Sequence, residues 1–327
     1  MKIGTRGSVM AIAQTEYVIR QLELSHSGVS FEKSIFETRG DRDTTAKLSR
    51  QGGKGGAFVA EIRDAVRSGE LHAAMHSLKD IPGNEETPGL IIAAYLERRS
   101  ASDCLVLRSD RTEAALYESK IENPLKIGTT SVRRAAFLKS IYPGCETIHY
   151  RGSVVGSDKS RLHKLDNGLM QDTASGEAVG PADALVLASA GLERVGESSR
   201  IVREFSLDEM LPAIGQGIIV VECRSADPTT IKMLSAIDHF QTRCCALAER
   251  EVLWILNGHC NSPIAGHCIV KDGKLELAAA VMSLTGNTVL RSRAEGPLEL
   301  PRELGRKVAA QLIADGANEL IEETRES

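Results

Sequence analysis

Leu71–Pro82 reads LHAAMHSLKDIP, and the fold is worked out from it. Leu71 to Met75 are small and apolar enough for a buried strand, whereas His76, Ser77, Lys79 and Asp80 crowd at its C-terminal end. Pro82 stops the strand from continuing. In open α/β sheets that edge is where ligands bind. An acid beside a base at a strand end, taken alone, reads as an exposed turn pair. Other basic positions collected at similar turns are what favour a site.

Working outward, the helix before this strand carries Phe58, Val59, Ile62, Ala65 and Val66 on one side and stops at Gly69. The polar, glycine-rich stretch 38–56 ahead of it lacks periodicity and reads as a mobile loop. At the chain start, Lys2–Gly4 is a short strand. Ser8 caps a helix whose Ala11, Ile12, Val18, Ile19 and Leu22 face inward, and Phe31–Glu37 is a second strand. KIGT at Lys2–Thr5 returns as KIGT at Lys126–Thr129, again followed by a serine, Ser131, and an apolar helix. Thr147–Tyr150 reads as a strand, and Ala184–Ala188 ends in Ser189-Ala190-Gly191 much as Leu71–Met75 ends in His76-Ser77.

The pattern predicts an α/β fold of two similar lobes around a cleft, with crossovers at Glu97–Asp103 and Leu207–Glu222, and a hinge where they pass. From Pro228 onward two helical patterns, hairpin signals at Asp272-Gly273 and Thr285-Gly286-Asn287, and a closing helix over Glu303–Glu323 predict a small α+β domain. Gly168–Pro181 is apolar-poor and reads as a surface insertion. The expected division is residues 1–99 with 204–226 as lobe 1, 100–203 as lobe 2, and 227–327 as the C-terminal domain.

With 40 Lys and Arg against 44 Asp and Glu in 327 residues, the net charge of −4 gives no general attraction to nucleic acid or to an anionic membrane. Any basic site must be local. No apolar run reaches the roughly 20 residues that span a bilayer, and MKIGTRGS lacks the apolar segment of a secretory signal. Seven cysteines, an odd count, favour reduced thiols and a cytoplasmic location.

Arg133 and Arg134 fall in the first turn of the helix capped by Ser131, where the macrodipole disfavours cations by roughly 0.3–1 kcal/mol each. An anion bound by amides and guanidinium groups together would remove the conflict. Arg6 lies similarly ahead of the Ser8 helix. Arg50, Lys54, Arg151 and Arg194 follow at comparable turns. GGKGG at Gly52–Gly56 is not a Walker motif, because Lys54 is followed by glycine. Many arginines suggest a ligand with several carboxylates, which planar guanidinium groups bind in bidentate fashion. In LNGHCNSPIAGHC, Leu256–Cys268, three readings stand. His259, Cys260, His267 and Cys268 could hold zinc; the loop could carry an incidental cysteine; or Cys260 could present its sulfur as a nucleophile or attachment point.

TRGS at Thr5, GGKG at Gly52, HSLKDIP at His76, GTTSVRR at Gly128, RGS at Arg151, SRLHKLDNG at Ser160, LASAGLERVG at Leu187, LPAIGQG at Leu211 and HCNSPI at His259 together resemble the porphobilinogen deaminase (hydroxymethylbilane synthase) family over essentially the whole chain. The resemblance implies two lobes of the periplasmic-binding-protein type II kind plus the α+β domain. It implies a transferase that condenses four porphobilinogen molecules head to tail into hydroxymethylbilane, with release of ammonia, in tetrapyrrole biosynthesis. It implies a covalent dipyrromethane cofactor joined by a thioether to the residue matching Cys260. Asp80 matches the catalytic carboxylate, with Lys79 beside it. Thr129, Ser131, Arg133, Arg134, Arg151, Arg161 and Arg194 match cofactor-binding positions. Arg6, Ser8, Arg50, Lys54 and Phe58, with Arg151 and Arg194, match substrate-binding positions. No metal, nucleic acid or membrane is implied, and a monomer is.

The chain departs from the family pattern in one extra residue between Lys54 and Phe58, a longer segment between Arg151 and Arg161, Ser153 for asparagine, His259 for glycine, and the insertion at 168–181. A two-lobed binding module for polycarboxylates and a zinc hydrolase built on His259 and Cys260 are the competing classes. Neither predicts a covalent pyrrole adduct.

Overall fold

The computed structural model describes residues 1–38, 59–173, 176–258 and 262–324. The first lobe begins with β1 (Lys2–Arg6), α1 (Val9–Ser25) and β2 (Glu32–Phe36), and continues with α2 (Ala60–Ser68), β3 (Ala73–Ser77) and β4 (Leu90–Tyr95). The second holds β5 (Asp103–Leu107), α3 (Glu113–Tyr117), β6 (Lys126–Gly128), α4 (Val132–Ile141), β7 (Glu146–Ile148), α5 (Arg161–Asp166), β8 (Gln171–Asp172), β9 (Ala178–Val179), β10 (Ala184–Ala188), α6 (Ser189–Arg194) and β11 (Arg203–Glu204). β12 (Ile219–Arg224) then returns to the first sheet.

The two sheets are copies in topology. One runs β2-β1-β3-β12-β4 and the other, read in the same sense, β7-β6-β10-β5-β11. In each, the KIGT strand sits between two parallel neighbours, and the fourth strand, β12 or β5, lies antiparallel to β3 or β10. That fourth strand arrives over a crossover, so its N-terminal end meets the C-terminal edge of the parallel strands. Ile219 faces Ser77, and Asp103 faces Ala188. The type II two-lobe architecture is therefore borne out, and the turns that follow the parallel strands β1, β3, β6 and β10 open at one sheet edge of their lobes.

α7 (Pro228–Ser235), expected in the C-terminal unit, instead packs Leu234 into the core of lobe 1 with Ile3, Val18 and Leu22. The third unit contains α8 (Phe240–Ile255), β13 (Ile264–Lys271), β14 (Lys274–Met282), β15 (Val289–Pro297), α9 (Pro301–Ala314) and α10 (Ala317–Glu323). α8 and α9 cover one face of its meander through Val252, Leu277 and Leu312. Ala265, Ala280 and Met282 on the other face pack with Phe137 and Leu138 of lobe 2. Leu253 of α8 fits against Gly83 of lobe 1, where a Cβ would lie 2.6 Å from it. The buried Glu249 joins the crossovers to this unit. It pairs with Arg98 and accepts the Gly215 and Cys268 amides, each at 2.7 Å.

Several local expectations shift. The opening strand runs from Ala73 to Ser77 rather than Leu71 to Met75, because the Leu71 amide closes the end of α2 on the Ala65 carbonyl. His76 thus lies inside the sheet opposite Val220, not at its edge. The strand expected at Thr147–Tyr150 is Glu146–Ile148. The closing helix is two, broken at Gly316 with φ 99°. The hairpin strands start earlier, so His267 and Cys268 are consecutive on β13 and their side chains face opposite sides. That removes them as a shared pair of zinc ligands. Asp272 and Gly273, at φ 50° and 75°, make the tight turn that their sequence suggests.

Arg63, on the expected apolar face of α2, is buried because Glu222 of β12 receives it at 2.8 and 3.0 Å. His76 lies 3.7 Å from the same carboxylate. Burial pulls the His76 imidazole down to about 4, against the opposing pull of Glu222. Burial and then Arg98 do the same to His267. The sign follows from linkage. Below the unfolded value of 6.5 the unfolded chain binds protons that the folded one refuses, so both histidines cost stability as pH falls from 6.5 towards 4. Thermal melts should fall across that window, and His76→Gln/His267→Gln should flatten the slope. An unchanged slope would refute this origin.

Candidate active site

Arg6 ends β1 and Asp80 follows β3, and the two strands are parallel neighbours. Their side chains meet at 4.0 Å beside a small cavity lined by Gln14, His76 and Ser77. Ser8 caps α1 by accepting the Ala11 amide at 3.2 Å. Across the cleft, Ser131 caps α4 by accepting the Arg134 amide at 3.4 Å, and Thr129 accepts the Ser131 amide at 3.2 Å. These hydroxyls therefore shape the turns as well as facing the cleft edge.

The two arginines of that turn already share one carboxylate within the chain. Both are buried around Asp103. Arg133 donates to Asp103 Oδ2 and to the Leu211 carbonyl, each at 2.6 Å. Arg134 donates to Oδ1 through Nε at 3.0 Å and Nη2 at 2.7 Å, and to the Val186 carbonyl at 2.9 Å. Burial alone would raise the Asp103 carboxyl, but the two guanidinium groups outweigh it and hold it well below the usual carboxylate range. The dipole conflict is thus answered within the chain. The sequence reading passed over Asp103, and the available signal was that two adjacent buried arginines require a carboxylate.

Gln216 was passed over as well. Its Oε1 accepts from Lys79 Nζ at 3.2 Å, and its Nε2 donates to the Ala101 carbonyl at 2.7 Å and Asp103 Oδ1 at 2.9 Å. Lys79 keeps contact with solvent in the cleft, yet enclosure, then Arg134, pull its ammonium down to about 8, with Asp80 opposing. Arg161 opens α5, and burial, then Arg134, lower it to about 10. Arg194 donates to the Gly217 carbonyl at 2.9 Å beside Arg99, nearer the hinge. Arg151 is buried after β7. Arg50, Lys54, Phe58, His259 and Cys260 lie outside the described residues. The chain just before the last two is tied to the loop after Asp80. Asn84 donates to Asn257 at 3.2 Å, and Arg250 of α8 donates to the Ile81 and Pro82 carbonyls at 3.2 and 2.9 Å.

Lys79 thus lies among Asp80, Asp103, Arg133 and Arg134, and Arg161 lies beside Arg134. Among the described residues the Nε atoms of Arg133 and Arg161 are buried without a hydrogen-bond acceptor. Such donors are costly to leave unmet, and the local charge excess calls for carboxylates. The family model for the porphobilinogen deaminase dipyrromethane cofactor-binding domain matches residues 1–232, and that for its C-terminal domain matches residues 243–314. The chain belongs to the porphobilinogen deaminase family. It is a transferase of tetrapyrrole biosynthesis with a dipyrromethane cofactor, as the resemblance implied.

The porphobilinogen deaminase of Coxiella burnetii is 37% identical over 324 residues, covering 99% of this chain and 97% of that one. That of Synechococcus elongatus is 36% identical over 323 residues, covering 99% and 95%. Among solved structures, the substrate-binding domain of a putative molybdenum ABC transporter from Clostridium difficile covers 72% of this chain and 91% of its own, at 10% identity and a TM-score of 0.39. The donor set of this site fits the family's cofactor, whose two pyrroles carry four carboxylates between them. Among the described residues no three His, Cys, Asp or Glu side chains come together as a metal site, and no helix is long and apolar enough to cross a membrane.

Proposed function

We propose that the chain condenses four porphobilinogen molecules head to tail into hydroxymethylbilane, with Asp80 as the reacting carboxylate and the lobe 2 arginines as carboxylate holders. The observation that carries this reading is the cation-rich cluster of Lys79, Arg133, Arg134 and Arg161, in which Lys79 neighbours Asp80 and the Nε atoms of Arg133 and Arg161 are buried without an acceptor. When bound through Cys260, the dipyrromethane supplies the terminal pyrrole to which the next unit is joined. Arg133, Arg134, Arg161, Arg151 and Lys79 hold acetate and propionate groups, with Thr129 and Ser131 shaping the turn beneath them. Arg6, Ser8, Arg151 and Arg194, with Arg50, Lys54 and Phe58, receive the incoming monomer.

Loss of ammonia from the aminomethyl carbon of that monomer leaves a cationic electrophile. Asp80, held by the short helical turn Leu78–Asp80 after β3, accepts the pyrrole N–H in this reading and stabilises the positive charge as it develops. Arg6 at 4.0 Å orients that carboxylate. A preorganised carboxylate of this kind needs no reorganisation as charge appears, which is why its placement on a strand end matters.

The units of this machine are read as 1–99 with 204–226, 100–203, and 227–327, and the strand membership of the two five-stranded sheets supports the first two. The free thiols of Cys104, Cys145, Cys223, Cys244, Cys245 and Cys268 support a cytoplasmic location.

The test is the intact mass of the purified protein beside Cys260→Ser. The wild type should exceed its sequence mass by two pyrrole units and the variant should not. An unmodified wild type that gains no adduct after incubation with porphobilinogen would overturn the assignment.

A further inference from the structure

The segment 168–181 reads from its composition as a surface insertion, yet among its described residues Gln171 and Gly180 are buried. Gln171 on β8 is 6% exposed and turns inward beneath Arg151. Its Oε1 accepts the Arg151 amide at 3.0 Å and also the ammonium of Lys164 on α5. Lys164 donates in turn to the Arg151 carbonyl at 2.6 Å. Both peptide groups that flank the Arg151 Cα are therefore held by side chains, one of them from the insertion.

The rest of the segment serves the same geometry. β8 pairs with β9, Gln171 opposite Val179, which fixes the side to which Gln171 points. The Tyr150 hydroxyl donates to the Leu169 carbonyl at 2.7 Å, and the Lys164 ammonium lies 4.6 Å from the centre of the Tyr150 ring. The Arg161 amide donates to the Ser153 carbonyl at 2.8 Å, which ties the start of α5 to the turn after Arg151.

We propose that the insertion is a brace for Arg151: Gln171 and Lys164 clamp its backbone and so set the reach of its guanidinium towards the carboxylates of the incoming porphobilinogen. This rests on the reading of Arg151 as a carboxylate holder. A loop residue held at a single point can tilt. A residue clamped at both its amide and its carbonyl aims its side chain from a fixed Cα, and small misplacements of a holding group are expensive in enzymes. Gln171 and Lys164 are positioning residues, acting through Arg151.

The test uses Gln171→Leu, Gln171→Glu and Lys164→Met, each with the cofactor attached. The first readout is hydrogen exchange at the Arg151 amide, which does not depend on activity. It should accelerate about tenfold or more in Gln171→Leu and stay close to wild type in Gln171→Glu, which keeps an oxygen at the same point. The second readout is the steady-state split. KM for porphobilinogen should rise roughly fivefold to tenfold in Gln171→Leu and Lys164→Met with kcat within about twofold, the pattern for lost substrate holding. Unchanged Arg151 exchange in a folded Gln171→Leu would overturn the brace. Accelerated exchange with unchanged KM would leave the brace but overturn the role of Arg151 on which the proposal rests. Should Gln171→Leu fail to fold, an unchanged KM in Lys164→Met overturns the proposal by itself.

Discussion

Asp103→Asn should lose about 3–5 kcal/mol of stability, because it leaves two buried guanidinium groups without their carboxylate while hardly changing the side-chain volume. Asp103 is fully buried and receives Arg133, Arg134 and Gln216. No water can take over a charge held that deep. Asp110→Asn is the control, since Asp110 pairs with Arg108 and Arg111 but its side chain is 56% exposed. Surface pairs of that kind contribute about 0–1 kcal/mol. Urea denaturation of both variants measures the contrast, and equal losses would refute the argument. The pH dependence has a definite sign. The folded-state carboxyl titrates far below its unfolded value, so its contribution is complete above about 3.9 and is lost as pH falls below that. Asp103→Asn should remove this part of the acid transition.

Asp103 also shows where reading a sequence stops. The repeat KIGT and its serine caps made the two lobes legible, because caps and short parallel strands are local features. Ser8 and Ser131 indeed accept the expected amides. Arg133 and Arg134 were legible as a local conflict, but the partner that resolves it is 30 residues away, on a strand that enters its sheet antiparallel. Register between distant strands is not written in either strand. His76 illustrates the same limit at shorter range, since a two-residue shift of β3 moved it from the edge to the interior beside Glu222. The hairpin turn at Asp272-Gly273 needed only its own two residues and was read correctly, whereas the break at Gly316 was hidden in an otherwise continuous apolar pattern. Gln171 reads as surface because nothing in a polar segment reveals which of its side chains turns inward.

Gln216→Leu should shift the titration of Lys79 to lower pH and reduce kcat by about tenfold or more. The glutamine is 1% exposed, and its amide has only one workable orientation. Nε2 faces the Ala101 and Ser102 carbonyls and the Asp103 carboxylate, all acceptors, which leaves Oε1 for the Lys79 ammonium. Its backbone lies in one crossover and its side chain bonds to the other, next to the contact between the Arg99 amide and the Gly217 carbonyl at 3.2 Å. One residue therefore joins Lys79 of lobe 1, Asp103 of lobe 2 and both connecting strands. The lobes cannot swing about this point without stretching a bond to one of them. An acceptor bonded to an ammonium favours its charged form, so removing that acceptor lowers the pKa of Lys79. Leucine also strands the buried carbonyls and costs about 1–3 kcal/mol for each group left unpaired. The pH dependence of Lys79 acylation, mapped by mass spectrometry with Lys33 as reference, separates the two effects. Gln216→Glu keeps an oxygen towards Lys79 and should show no shift to lower pH, whereas damage to the hinge alone would act on both variants alike. If Lys79 titrates as in the wild type in a folded Gln216→Leu, the link between the hinge and the reacting edge is absent. If it shifts in that variant and not in the glutamate one, the crossover glutamine is what holds Lys79 in register with the arginines across the cleft.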